Sequence, residues 1–174
     1  MITQVDHADE ILGTAPPAVE VDSTVLVRIE TSAPTVVSVA PGSSGLIGPT
    51  RVPVRVWGGT RVAKGGTAVC APGAAVWLLG GCAAVGDQAR VIASSGRGIA
   101  GPGAQVSVQS SDTGLEVWAL PGSLVAGPHL DMTLLSAPAL VRDRMVEPVA
   151  VGDVPADLLD LLALAESLPV RRQR

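Results

Sequence analysis

The residue types that most often carry enzyme chemistry are sparse in this chain of 174 residues. Among the few acidic residues of its central part, Asp112 and Glu116 lie closest together in sequence. A glycosidase needs two carboxyl groups at a set separation, so this pair could act on a carbohydrate. The Asp-Thr-Gly sequence that begins at Asp112 is equally typical of an ordinary turn, in which Gly supplies a positive φ. We favour the turn.

The sequence also gives little support for a nucleophilic or metal site. His129 and Asp131 lie two residues apart with serines nearby, but a Ser-His-Asp triad is defined by geometry, and the chain has no Gly-x-Ser-x-Gly motif. Cys70 and Cys82 are the two cysteines, and their spacing matches no metal or redox motif. The sequence therefore predicts buried thiols, no catalytic residue and no metal.

A glycine pattern at residues 96–101, Gly-Arg-Gly-Ile-Ala-Gly, matches the fingerprint of dinucleotide-binding proteins. That mechanism requires a helix to begin at the glycines, because its N-terminal amides bind the pyrophosphate. Here Pro102-Gly103 and the strand-like AQVSV follow instead. We therefore predict a glycine-rich corner and no cofactor.

The composition excludes several classes of partner. Hydrophobic residues make up 47% of the chain and charged residues 16%, against about 25% charged in a typical domain. The net charge of −4 gives no general attraction to nucleic acid. The first dozen residues lack the pattern of a signal peptide, and glycines interrupt the uncharged stretch 65–86. We predict no membrane span and a cytoplasmic or virion location.

The elements that position these residues follow a short period. From residue 35 the chain divides into segments of about six to eight residues, such as VRVWGG, TRVAKGG and TAVCAPG. A helix would not tolerate Gly or Pro in almost every segment, so each one predicts a short strand closed by a turn.

Three Val-Trp pairs suggest how these strands repeat. Val56-Trp57, Val76-Trp77 and Val117-Trp118 are spaced so that the second interval is close to twice the first. Division before each pair gives units 56–75, 76–97, 98–116 and 117–138, each of which would be one solenoid coil of three strands. Because side chains alternate along a strand, inward Val residues would place the Trp residues in one outward column.

The predicted fold is therefore mainly β, with a β-solenoid-like body of short stacked strands, and an antiparallel β-sandwich or barrel is the runner-up. We divide the chain into an N-terminal arm and strand (1–34), the β body (35–138), and a linker, amphipathic helix and basic tail (139–174). Residues 153–169 predict the helix, with Asp153 as its N-cap. Leu158, Leu161 and Leu162 share its apolar face with Ala165 and Leu168.

These features predict a structural or assembly protein that is not an enzyme. It would bind protein subunits, either copies of itself as a homo-oligomer or a larger particle, through apolar faces. Decoration or a minor structural role in a virion capsid or tail is the specific form we expect. The predicted partner-binding residues are Trp57, Trp77, Trp118, Leu158, Leu161 and Leu162. The alternative is a β-helix protein that binds or cleaves carbohydrate through Asp112, Glu116 and the Trp column.

Overall fold

The chain forms a β-solenoid of about six turns with one C-terminal helix, which confirms the predicted fold class. The structure is a computed structural model. It describes residues 2–6, 18–21, 26–31, 35–40, 43, 45–50, 52–109, 114–127, 130–142 and 145–168.

Sixteen strands are present in the described residues. They are β1 (Ile2–Asp6), β2 (Ala18–Val21), β3 (Leu26–Thr31), β4 (Val36–Val39), β5 (Gly45–Thr50), β6 (Val54–Trp57), β7 (Gly59–Ala63), β8 (Thr67–Cys70), β9 (Ala75–Val85), β10 (Arg90–Ala100), β11 (Gln105–Val108), β12 (Leu115–Ala119), β13 (Leu124–Gly127), β14 (Leu130–Leu134), β15 (Ala139–Arg142) and β16 (Met145–Pro148). A 3₁₀ turn (Val151–Asp153) and helix α1 (Ala156–Ser167) follow.

The strands stack in two columns, which we call wall A and wall B. Wall A contains β2, β4, β6, β8, the second halves of β9 and β10, and β12, all parallel. Wall B contains β1, β3, β5, β7, the first halves of β9 and β10, β11 and β13, again parallel. The chain alternates between the walls, so one coil consists of one strand from each.

The coil is shorter than the sequence analysis predicted. Ala75, Arg90 and Gln105 are register partners on successive strands of wall B, so these two coils are equal in length and shorter than the predicted unit. On wall A, Arg97 pairs with Glu116, which is a longer step. The prediction of three strands in every coil is therefore wrong. The intervals between the Val-Trp pairs do not measure the length of a coil, because the pairs lie on different walls.

Stacked turns connect wall A to wall B. At residues 71–74, 86–89, 101–104 and 120–123, the amide of the fourth residue donates to the carbonyl of the first, at 3.0–3.1 Å. The third residue of each turn has a positive φ, which is characteristic of a type II turn. Three of these residues are Gly, and the fourth is Gln88 with φ 62°. The amide of Gln88 also donates to the carbonyl of Gly103 one coil away, at 3.2 Å.

Gln88→Gly is expected to stabilise the protein. A left-handed conformation costs a residue with a side chain about 1–2 kcal/mol, and the added backbone entropy of Gly offsets about half of that. The midpoint of thermal unfolding should therefore rise by about 2 °C for a chain of this size. Gln88→Ala keeps the strain and serves as the control. An equal rise for both variants would show that the turn conformation is not the cause.

The space between the two walls is the main core. Val56, Val76 and Val117 point into it, as predicted, and all three are buried. Val, Ala, Ile and Leu fill the rest, with Ile29, Ile47 and Leu78 its largest fully buried side chains. At the C-terminal end of the solenoid, β14 and β15 pair antiparallel with β13 and β12, and β16 continues from β15. A change of strand direction therefore closes this end.

Candidate functional site

The outer face of wall A carries a second layer of apolar side chains. Val69, Ala84, Ile99, Trp118 and Leu140 are neighbours in register across five successive strands, and all are buried. They belong to a hydrophobic cluster separate from the core between the walls. From β8 to β12, wall A is therefore buried on both faces.

Helix α1 covers this outer face. Leu158, Leu162 and Ala165 on the helix and Leu168 after it are buried in the same cluster, and Leu161 is partly buried. The predicted apolar face is thus confirmed. The helix begins one residue after Pro155, which stands at the N-cap, so the prediction of Asp153 as N-cap is wrong. An oxygen of Asp153 instead accepts a hydrogen bond from the amide of Ala150, at 3.1 Å.

One ion pair fixes the start of the helix to wall A. The Arg97 guanidinium donates two hydrogen bonds to the Asp157 carboxylate, at 2.6 and 3.3 Å. These bonds lower the pKa of Asp157 below its ordinary value. Both side chains are well exposed, so the pair contributes at most about 1 kcal/mol to stability.

The outer face of wall B has a different surface. Trp77 and Leu79 are each 37% exposed there, and Ile92 is the register partner of Trp77 on the next strand. The Arg61 guanidinium lies 5.7 Å from the centre of the Trp77 ring, and Trp77 Nε1 donates to Ser94 Oγ at 3.0 Å. Helix α1 packs on β8, β9 and β10 from the side of wall A, and no described element lies over Trp77. Wall B therefore presents an open, partly apolar sheet face.

The three Trp residues do not share one column. Trp57 and Trp118 lie on wall A with three strands between them, whereas Trp77 lies on wall B. Trp57 is half-buried against the helix-covered cluster and Trp118 is 8% exposed within it. The prediction of a single outward stripe is wrong because consecutive Val-Trp pairs belong to different walls. Trp118, Leu158 and Leu162, predicted to bind a partner, are buried in the same cluster within the chain.

Of the candidate chemical residues, the structure describes the side chain of Glu116. Trp118 Nε1 donates to Glu116 Oε1 at 3.0 Å, whereas Asp112 and His129 lie outside the described residues. The side chain of Asp131 and the basic tail after residue 168 also lie outside them. The carbohydrate alternative thus loses the Trp column on which it depended.

The glycine pattern at residues 96–101 and the two cysteines lie in the strands and turns of the solenoid. Residues 96–100 lie in β10, Gly101 begins a turn and strand β11 follows, so only the last glycine of the pattern lies in the turn. Cys70 points into the core, where burial raises the pKa of its thiol to about 12. Cys82 lies on the outer side of wall A, and both thiols are free.

A shallow groove lies where the turns meet the end of the helix. Its volume is about 460 Å³, and Pro72, Pro102, Ala165 and the acids Asp87 and Glu166 are among its lining residues. It contains no cationic group or nucleophile from the described part of the chain. The groove alone therefore indicates no reaction.

Two kinds of feature are absent from the described residues. No three His, Cys, Asp or Glu side chains there come together as metal ligands. No helix in that part of the chain has both the length and the apolar character to cross a membrane. Comparison of the chain with protein-family models, with curated proteins and with solved structures finds no match.

Proposed function

We propose that this chain is a structural protein that joins protein subunits through the outer face of wall B. The observation that carries the proposal is the contrast between the walls. A helix covers the apolar outer face of wall A, whereas Trp77 and Leu79 on wall B remain 37% exposed. Exposed aromatic and aliphatic side chains on one face, together with Arg, are typical of protein interfaces.

The packing of the interior supports this class of function. Val, Ala, Ile and Leu occupy the space between the walls from β2 to β15, so the described interior is filled rather than hollowed for a substrate. The parallel stacking also makes the body a rigid support, because each coil hydrogen-bonds to the next. A rigid body with one open face suits an assembly subunit, working in the cytoplasm or as a decoration or minor subunit of a virion.

A photo-crosslinking amino acid at position 77 tests this proposal. Replacement of Trp77 by p-benzoylphenylalanine keeps an aromatic group on wall B, and irradiation of cells that produce the chain should give covalent adducts with protein. The same amino acid at Lys64, an exposed residue on a corner turn, is the control and should give few adducts. Absence of protein adducts from position 77, or equal yields at both positions, would contradict the proposal.

A further inference from the structure

We infer that the partner of wall B is the outer face of helix α1 on a second copy of this chain. This inference rests on the proposed function and identifies the subunit that is joined. It follows from the exposed apolar side chains, the charges and the placement of the two faces.

The outer face of the helix has uncovered apolar side chains. Leu159 is 37% exposed and Leu164 is 41% exposed, on either side of Asp160 and Ala163. The helix buries Leu158 and Leu162 against its own wall A, so these two exposed Leu residues lie on opposite flanks of its outer surface. Helix α1 thus has apolar groups on two faces and uses one of them within the chain.

The part of wall B around Trp77 and the outer face of the helix carry opposite charge. Arg61 and Arg90 lie on the outer side of wall B, and no described carboxylate lies within ion-pair distance of either. The described helix contains three acids and no Lys or Arg, and Arg97 pairs with Asp157 alone. Asp160 is exposed on the outer surface and carries no ion pair with another described residue, whereas Glu166 lies beside the turn residues Gly86 and Gly101 of its own chain. A helix that docks on wall B would bring these charges together, which favours encounter and fixes orientation.

The placement of the faces sets the form of the assembly. Helix α1 lies outside wall A, and the open face of wall B lies on the opposite side of the solenoid. The 12-residue helix is about 18 Å long, and the five strand spacings from β5 to β13 give this part of wall B a width of about 24 Å. Wall B can therefore receive the helix of a neighbour while its own helix contacts the next copy. Such a head-to-tail interface produces an open series of copies.

Complementary charge reversals test this inference. Arg90→Glu disables wall B and Asp160→Arg disables the helix face, and both positions are exposed, so neither change should prevent folding. In sedimentation velocity over a range of concentrations, the parent chain should form a series of species. Each variant should weaken self-association by at least about tenfold. Arg55→Glu on wall A makes the same charge change as the first variant and should associate like the parent.

The decisive sample is the equimolar mixture of Arg90→Glu and Asp160→Arg. In the mixture the unchanged helix face can dock on the unchanged wall B and the reversed helix face on the reversed wall B, each against opposite charge, so the mixture should recover the series of species. Failure of the mixture to recover association, or equal weakening by Arg55→Glu, would overturn the head-to-tail interface. A parent chain that stays monomeric would overturn it too. Adducts from position 77 with a different protein would then leave the proposed function intact.

Discussion

Replacement of Leu158 by Ala is expected to lower the free energy of unfolding by about 2–5 kcal/mol. Leu158 is completely buried between helix α1 and wall A, in the cluster that contains Ile99 and Trp118. The change removes apolar contact and leaves a cavity, and a helix of 12 residues has little stability without tertiary packing. Denaturant unfolding monitored by circular dichroism measures the loss.

Leu159→Ala is the matched control for this prediction. Leu159 is the next residue along the same helix and is 37% exposed, so its truncation should cost about 0.5 kcal/mol or less in the monomer. In the Leu158→Ala variant, loss of the docked helix should also expose Trp118 and shift its fluorescence emission to longer wavelength. Equal costs for the two variants would mean that the helix does not pack on wall A through the face that contains Leu158.

Gly58→Ala should destabilise the protein by at least about 3 kcal/mol. Gly58 forms the link between β6 on wall A and β7 on wall B, with φ 96°. A Cβ atom at this position would collide with the backbone carbonyl of Val39 on the preceding coil. The cost therefore combines an unfavourable backbone conformation with displacement of a neighbouring strand.

Gly73→Ala separates these two contributions. Gly73 has a similar φ of 85°, but a Cβ atom there would meet no other atom within 4 Å. Its replacement should cost about 0.5–1 kcal/mol, the left-handed conformation less the backbone entropy that Gly loses on folding. Chemical denaturation of both variants measures the difference. If Gly73→Ala proves as damaging as Gly58→Ala, the close approach of Gly58 to Val39 is wrong.

The alternation of side chains could be predicted from the sequence, but the coil length could not be predicted from the Trp residues. Inward Val56, Val76 and Val117 follow from period-two patterning, which is a local property of a strand. The true period appears in the Pro-Gly pairs instead. Pro72-Gly73 and Pro102-Gly103 lie two coils apart, and Gln88 occupies the equivalent turn midway between them. The other bend in each coil, from wall B to wall A, could not be predicted from the sequence. At this bend Gly80 and Gly96 lie inside the continuous strands β9 and β10.

The helix could also be predicted, whereas the face that it covers could not be identified from the helix alone. The strands themselves contain the missing signal. Wall A segments such as TAVC and CAAV are apolar at nearly every position, a pattern typical of strands buried on both faces. The wall B strand QVSV alternates polar and apolar residues, as expected for a strand with one open face. The Val-Trp pairs do not distinguish wall A from wall B, because they occur on both.

Hydroxyl-radical footprinting of the three Trp side chains tests the central claim most directly, because it compares the two walls in one sample. We predict that Trp77 reacts readily in dilute solution while Trp118 is protected by helix α1, and that Trp77 becomes protected when the protein associates. If Trp118 reacts as readily as Trp77 in the folded monomer, the helix does not cover wall A. If Trp77 stays equally reactive in the assembled protein, wall B is not the binding face.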